Sequence, residues 1–102
     1  MVKVIDNNKE QLCRLCRQYG VRRLEVFGSG ADARRFTEHS DLDFLVDFLP
    51  MPPIEHSDAY FNLLNDLRQL FSRPVDLLEI KAVDNPYLME SINQTRTELY
   101  AA

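Results

Sequence analysis

Apolar and polar positions follow two periods along this chain. Leu12, Leu15, Cys16 and Tyr19 recur at helical intervals, and Asn7 and Glu10 stand at capping-box spacing. Together they predict an amphipathic helix over residues 8–19, stopped by Gly20. From Arg22 to Phe27 the period shortens to two, with Leu24 and Val26 alternating with Arg23 and Glu25, as on a half-buried strand. Gly28-Ser29-Gly30 ends that strand, because missing side chains let the backbone turn tightly and approach a ligand. Ala31 to Arg35 reads as a short helix whose first amides point back at the turn, an anion-binding arrangement. From Asp41 to Leu49 a second strand puts Leu42, Phe44, Val46 and Phe48 on one face and Asp41, Asp43 and Asp47 on the other.

Pro50, Pro52 and Pro53 close that strand, since proline neither donates to a ladder nor continues it. Ser57 is a candidate cap for a helix with Tyr60, Leu63, Leu64, Leu67 and Phe71 on one stripe. Residues 75–80 (VDLLEI) read as a third strand, and Pro86 begins a final helix holding Leu88, Ile92 and Leu99. The expectation is an α/β (α+β) fold: a small mixed β-sheet flanked by helices, with residues 1–102 as a single domain.

Composition narrows the function. A hydrophobic fraction of 45% beside 27% charged residues is that of a folded soluble protein, which sets disorder aside. No stretch approaches the ~20 apolar residues needed to span a bilayer, and the N-terminal residues lack a signal-peptide core, so the expected location is cytoplasmic, with no membrane partner. A net charge of −4 argues against direct nucleic-acid binding. The charge is uneven, however. Residues 1–40 are net positive and the acidic excess follows them, which suits a compact polyanion plus a metal better than a duplex. Cys13 and Cys16 form one C-x-x-C within a helical pattern. A zinc site needs about four ligands, and a redox pair usually follows a strand, so both are read as packing and surface thiols.

The candidate chemistry lies in the aspartates. Asp41 and Asp43 are two residues apart on a strand, so their carboxylates leave the same face and converge on one hard cation. A divalent metal, with magnesium the natural candidate, removes their mutual repulsion and neutralises a triphosphate during displacement at phosphorus. A lone D-x-D is weak evidence, and a lone Gly-Ser weaker. The order carries the signal: strand, Gly-Ser turn, Ser-Asp-x-Asp opening a second strand, then an isolated Asp76 in a third.

Phe27-Gly28-Ser29, then Ser40-Asp41-Leu42-Asp43-Phe44-Leu45-Val46, then Arg73-Pro74-Val75-Asp76-Leu77-Leu78 resembles the minimal nucleotidyltransferases of the DNA polymerase β superfamily. The ending NPYLMESINQTRTELY is similar to the same family's C-terminus. The resemblance implies that Gly28 and Ser29 cradle the triphosphate of ATP and that Asp41 and Asp43 bind Mg²⁺. It further implies that Asp76 completes the metal site and helps deprotonate the attacking hydroxyl. Ser40 and Arg34 join Gly28 and Ser29 as nucleotide-side candidates. Many relatives have Ala-Arg-Gly soon after the Gly-Ser, whereas here Ala33-Arg34-Arg35 stands about one residue further on, which leaves that loop's geometry open. His39 reads as an ordinary loop histidine, and Arg73 stands between a phosphate contact and a surface charge at a strand entry.

The residues name a donor site and hardly any acceptor site, so a protein acceptor bringing its own surface is the favoured expectation. The resemblance implies a HEPN-domain ribonuclease toxin as partner, with AMP transferred from ATP to one of its tyrosines and the chain acting as antitoxin. Two alternatives stand beside it: a catalytically idle module that neutralises the toxin by covering it, and a small-molecule adenylyltransferase. Nucleotide preference and any homo-oligomer are not legible, because apolar positions on the terminal helix suit a core or a partner equally.

Overall fold

The computed structural model describes residues 2–102 and contains four strands in the order β3-β2-β1-β4. These are β1 (Val21–Phe27), β2 (Leu42–Phe48), β3 (Val75–Glu79) and β4 (Thr97–Ala101), with helices α1 (Lys3–Asp6), α2 (Lys9–Gln18), α3 (Pro53–Phe71) and α4 (Pro86–Thr95). β1 pairs antiparallel with β2 and β4, and β2 pairs parallel with β3, so the sheet is mixed as expected.

The core forms where the two periods meet. Leu24 and Val26 of β1 and Leu42, Phe44, Val46 and Phe48 of β2 are buried together with Leu12 and Cys16 of α2 and Leu63, Leu67 and Phe71 of α3. α2 and α3 therefore cover one face, stitched to each other by a hydrogen bond from the Tyr19 hydroxyl to Asp66. Leu45 of β2 and Ile92 of α4 are buried outside that cluster, and α4 packs against β1 and the residues that follow it. Cys13 and Cys16 are free thiols, the latter pushed up to about 12 by burial, in keeping with packing rather than redox chemistry. Among the described residues no helix is long and apolar enough to cross a membrane.

Four local expectations are corrected. The capping box at Asn7 does not form: Asn7 ends the short α1, Asn8 precedes α2, and the Asn8 side-chain Nδ2 donates back to the Val4 carbonyl at 2.7 Å. The helix expected over residues 31–35 is a turn. Asp32 accepts the Arg34 amide on its side chain at 3.0 Å, and such a local bond competes with helix propagation. α3 begins at Pro53 rather than after Ser57, because proline's fixed φ and missing N–H suit a first helical turn. The last helix ends at Thr95, and Leu99 belongs instead to β4, where Thr97-Glu98-Leu99-Tyr100-Ala101 pairs with β1.

Candidate active site

β1 ends by delivering its last residue, Phe27, opposite Asp43 of β2. Gly28 follows with φ +68°, and a Cβ placed there would lie 3.2 Å from the Asp43 Oδ2 atom. Only glycine takes that φ without strain and leaves the carboxylate room. Gly28–Ala31 then forms a single 3₁₀ turn, anchored by buried Gly30, whose missing Cβ would stand 2.9 Å from Val26 and 3.0 Å from Leu42. The turn is thus pressed onto the ends of β1 and β2 and touches the candidate carboxylate directly.

Asp43 and Asp76 occupy the same register position on neighbouring parallel strands. Asp43 is half-buried, Asp76 is exposed, and Asp41 is exposed just ahead of β2. Desolvation first, then the charge of Asp76, a hydrogen bond with it and the charge of Asp41 push the Asp43 carboxyl up to about 6. Among the described residues, no Lys, Arg or His bridges any of these three aspartates. Asp47, which the sequence places on the same face, differs: Lys81 Nζ lies 3.4 Å and Arg22 Nε 3.7 Å from its carboxylate. One end of β2 is neutralised and the other is short of positive charge.

Among the described residues, no group of three or more His, Cys, Asp and Glu side chains is placed to hold a metal ion. Asp43 and Asp76 do form a close pair of hard oxygen donors, with the charge of exposed Asp41 also felt at Asp43, and two such donors fit a divalent cation of the magnesium class. The other candidates are placed differently. Arg34 projects into solvent, its side chain 95% exposed and its Nε 3.9 Å from Asp32. Ser40 Oγ accepts the Thr37 amide at 3.0 Å, closing the loop that leads to Asp41. Arg73 donates to the carbonyls of Ser40 at 3.1 Å and Thr37 at 3.4 Å while stacking over Phe36 at 4.6 Å, so its charge holds this loop. His39 is exposed beside Glu38.

Sequence reasoning missed the cleft beside the carboxylates. It measures about 410 Å³ and is lined by Phe27, Asp43, Asp76, Tyr60, Leu64, Arg68, Leu78 and Leu88, along the free edge of β3. Tyr60 donates to the Leu77 carbonyl at 2.6 Å and Arg68 to the Val75 carbonyl at 3.3 Å. Those two bonds satisfy edge carbonyls that would otherwise invite another strand. Tyr60, Leu64 and Leu88 had been legible only as helix stripes. A second cleft, of about 300 Å³, lies at the opposite end of β2 against Asp47, His56, Glu79 and Lys81. Its acidic groups already have partners, since His56 hydrogen-bonds Glu79 and Lys81 faces Asp47, so the first cleft is the better reaction site.

Comparison with known proteins identifies the family and the fold. The family model described as "Polymerase beta, Nucleotidyltransferase" matches residues 10–102. A relative from Methanocaldococcus jannaschii, named "Putative protein adenylyltransferase MJ1379", is 34% identical over 77 residues, which span 76% of this chain and 75% of the relative. The solved structure named "Structure of putative minimal nucleotidyltransferase" superposes with a TM-score of 0.72 and 28% identity, covering 93% of this chain and 92% of the other. A chain of the solved complex of a tri-AMPylated Shewanella oneidensis HEPN toxin with MNT antitoxin also shares the fold, with a TM-score of 0.65 and 18% identity over 95% of this chain and 72% of that one. The chain belongs to the polymerase beta nucleotidyltransferase family.

Proposed function

We propose that this chain is a Mg²⁺-dependent protein adenylyltransferase that moves AMP from ATP to a tyrosine hydroxyl of a HEPN-domain toxin and so acts as its antitoxin. The observation that carries the reading is the registered pair Asp43 and Asp76 with the Gly28 turn against the Asp43 carboxylate. The names of the relatives support the acceptor: one is a protein adenylyltransferase by name, and another solved complex contains an AMPylated HEPN toxin.

In this reading Gly28 and Ser29 cradle the triphosphate, Ser29 donating from its amide and hydroxyl. Asp41, Asp43 and Asp76 hold Mg²⁺, which when bound neutralises phosphate charge and lowers the pKa of the attacking hydroxyl. Asp76, the exposed member of the pair, takes the proton from the acceptor oxygen as that oxygen bonds to the α-phosphorus. The bond between the α-phosphorus and the bridging oxygen breaks, and pyrophosphate leaves with the electron pair. The apolar wall of Tyr60, Leu64, Leu78 and Leu88 excludes water from the competing hydrolysis and suits an aromatic acceptor.

The test is to co-express the chain with its genomic neighbour and record the neighbour's intact mass for wild type and Asp43→Asn. An AMP-sized increment with wild type alone is expected. A stable complex in which neither version adds mass refutes transfer and leaves a module that acts by covering its partner.

A further inference from the structure

α4 ends at Thr95, and the residues there are fastened to β1 rather than left to fray. Arg96 makes a two-point ion pair with Glu25, its Nε 2.8 Å from Oε2 and an Nη 2.7 Å from Oε1, while another Nη reaches Asn93 at 2.9 Å. Glu25 is 3% exposed and the Arg96 side chain 27%, so this forked pair is partly buried and directional. It fixes where Thr95 stands, and the Thr95 hydroxyl accepts the Gly28 amide at 2.7 Å across 67 positions of sequence.

That bond holds the Phe27–Gly28 peptide, the last plane before the chain enters the turn. With this plane fixed and Gly28 at φ +68°, the position of the Gly28 carbonyl carbon, from which the chain runs on to Ser29, is fixed as well. The Gly28 amide is also withheld from any bound phosphate, which leaves the donors further along the turn to meet it. We infer that Thr95 is a positioning residue for nucleotide binding, acting through the Gly28 peptide and carried to its place by the Arg96–Glu25 pair. This rests on the reading that the turn holds the triphosphate.

The experiment compares wild type, Thr95→Val and Thr95→Ser in the full-length chain. Calorimetry with Mg²⁺ and an ATP analogue carrying an unhydrolysable α–β bridge gives the nucleotide Kd, and amide exchange gives the protection of Gly28. Thr95→Val, which keeps the shape and loses the acceptor, is expected to weaken nucleotide binding about tenfold and to speed Gly28 exchange by about as much. Thr95→Ser is expected to stay within about twofold of wild type in both. In the transfer assay the Val variant raises the nucleotide KM more than it lowers kcat, a split that general destabilisation does not produce.

Wild-type affinity in Thr95→Val, or equal loss in Val and Ser, overturns the inference. Should Thr95→Val fail to fold, Gly28 exchange in Thr95→Ala against Thr95→Ser decides it: faster exchange in Ala alone supports it, and equal rates overturn it. If wild type itself binds no analogue, the nucleotide reading of the turn falls, while the exchange rates still report whether Thr95 holds Gly28.

Discussion

Replacing Asp43 with Asn should stabilise the metal-free protein while abolishing its chemistry. The Asp43 carboxyl sits at about 6, raised first by burial and then by Asp76 and Asp41. An unfolded-chain aspartate titrates near ~3.9, so folding must oppose ionisation by about two units, an upper bound of roughly 3 kcal/mol. Because the residue is half-exposed, solvent screening reduces this to about 1 kcal/mol. A group whose folded pKa is raised in this way favours the native state below the unfolded pKa. That contribution declines as pH rises through the window from about 4 to about 6. Asn keeps the shape, loses the charge and can donate to the Asp76 carboxylate. In EDTA at pH 7.5, Asp43→Asn should therefore melt about 4 °C above wild type, with the gap closing below about pH 4. Saturating Mg²⁺ should reverse the order, since a cation at 100 times its Kd stabilises the binding form by about 2.7 kcal/mol. Differential scanning calorimetry with and without Mg²⁺ reads both arms. A variant that melts no higher than wild type in EDTA would refute the claim that these carboxylates repel one another in a site short of positive charge.

Further substitutions test the scaffold around the pair. Gly28→Ala meets a positive φ and the Asp43 Oδ2 atom 3.2 Å away, and should cost about 1 to 2 kcal/mol in thermal melts while cutting AMP transfer by about a hundredfold. Glu25→Gln breaks the partly buried pair with Arg96, which holds the Glu25 carboxyl below its usual range, and should cost about 1 to 2 kcal/mol in urea denaturation at pH 7. Because that pKa is lowered, the wild type's advantage is present above the ordinary glutamate value and is lost as pH falls through the lowered one, so the two proteins should converge in acid. Arg73→Met releases the carbonyls of Thr37 and Ser40, and should raise the Mg²⁺ concentration for half-maximal transfer about tenfold with little change in melting.

The elements that the sequence revealed are those whose signal is local. Leu24 and Val26, the even positions of β2, and Leu63, Leu67 and Phe71 of the α3 stripe are buried as their periods require, because period two and period 3.6 are consequences of backbone geometry. The Gly-Ser turn and the D-x-D spacing were legible for the same reason. What failed were boundaries decided by competition between nearby groups, as where the Asp32 side chain captures the Arg34 amide and replaces a helix by a turn. β4 was hidden because Leu99 suits either a helical or an alternating pattern, and only pairing with β1 decides between them. Thr95 carried no signal at all, since its partner lies 67 positions away and one hydroxyl is chemically ordinary.

The aspartates show most clearly what the fold adds. Sequence places Asp41, Asp43 and Asp47 on one strand face as equals, and nothing in their spacing ranks them. The parallel register of β2 with β3 brings Asp76 to Asp43, while Lys81 and Arg22 come to Asp47. Pairing with side-chain cations removes Asp47 from metal chemistry, because its charge is already met. Concentrating the remaining carboxylates without such a partner leaves a repulsion that, on the proposed function, a divalent ion would relieve. A strand register and two basic side chains therefore decide which acidic residues are available for catalysis. On that argument Asp47→Asn should leave AMP transfer within about twofold of wild type, measured beside Asp43→Asn in the same intact-mass assay, and a comparable loss in both would refute the distinction.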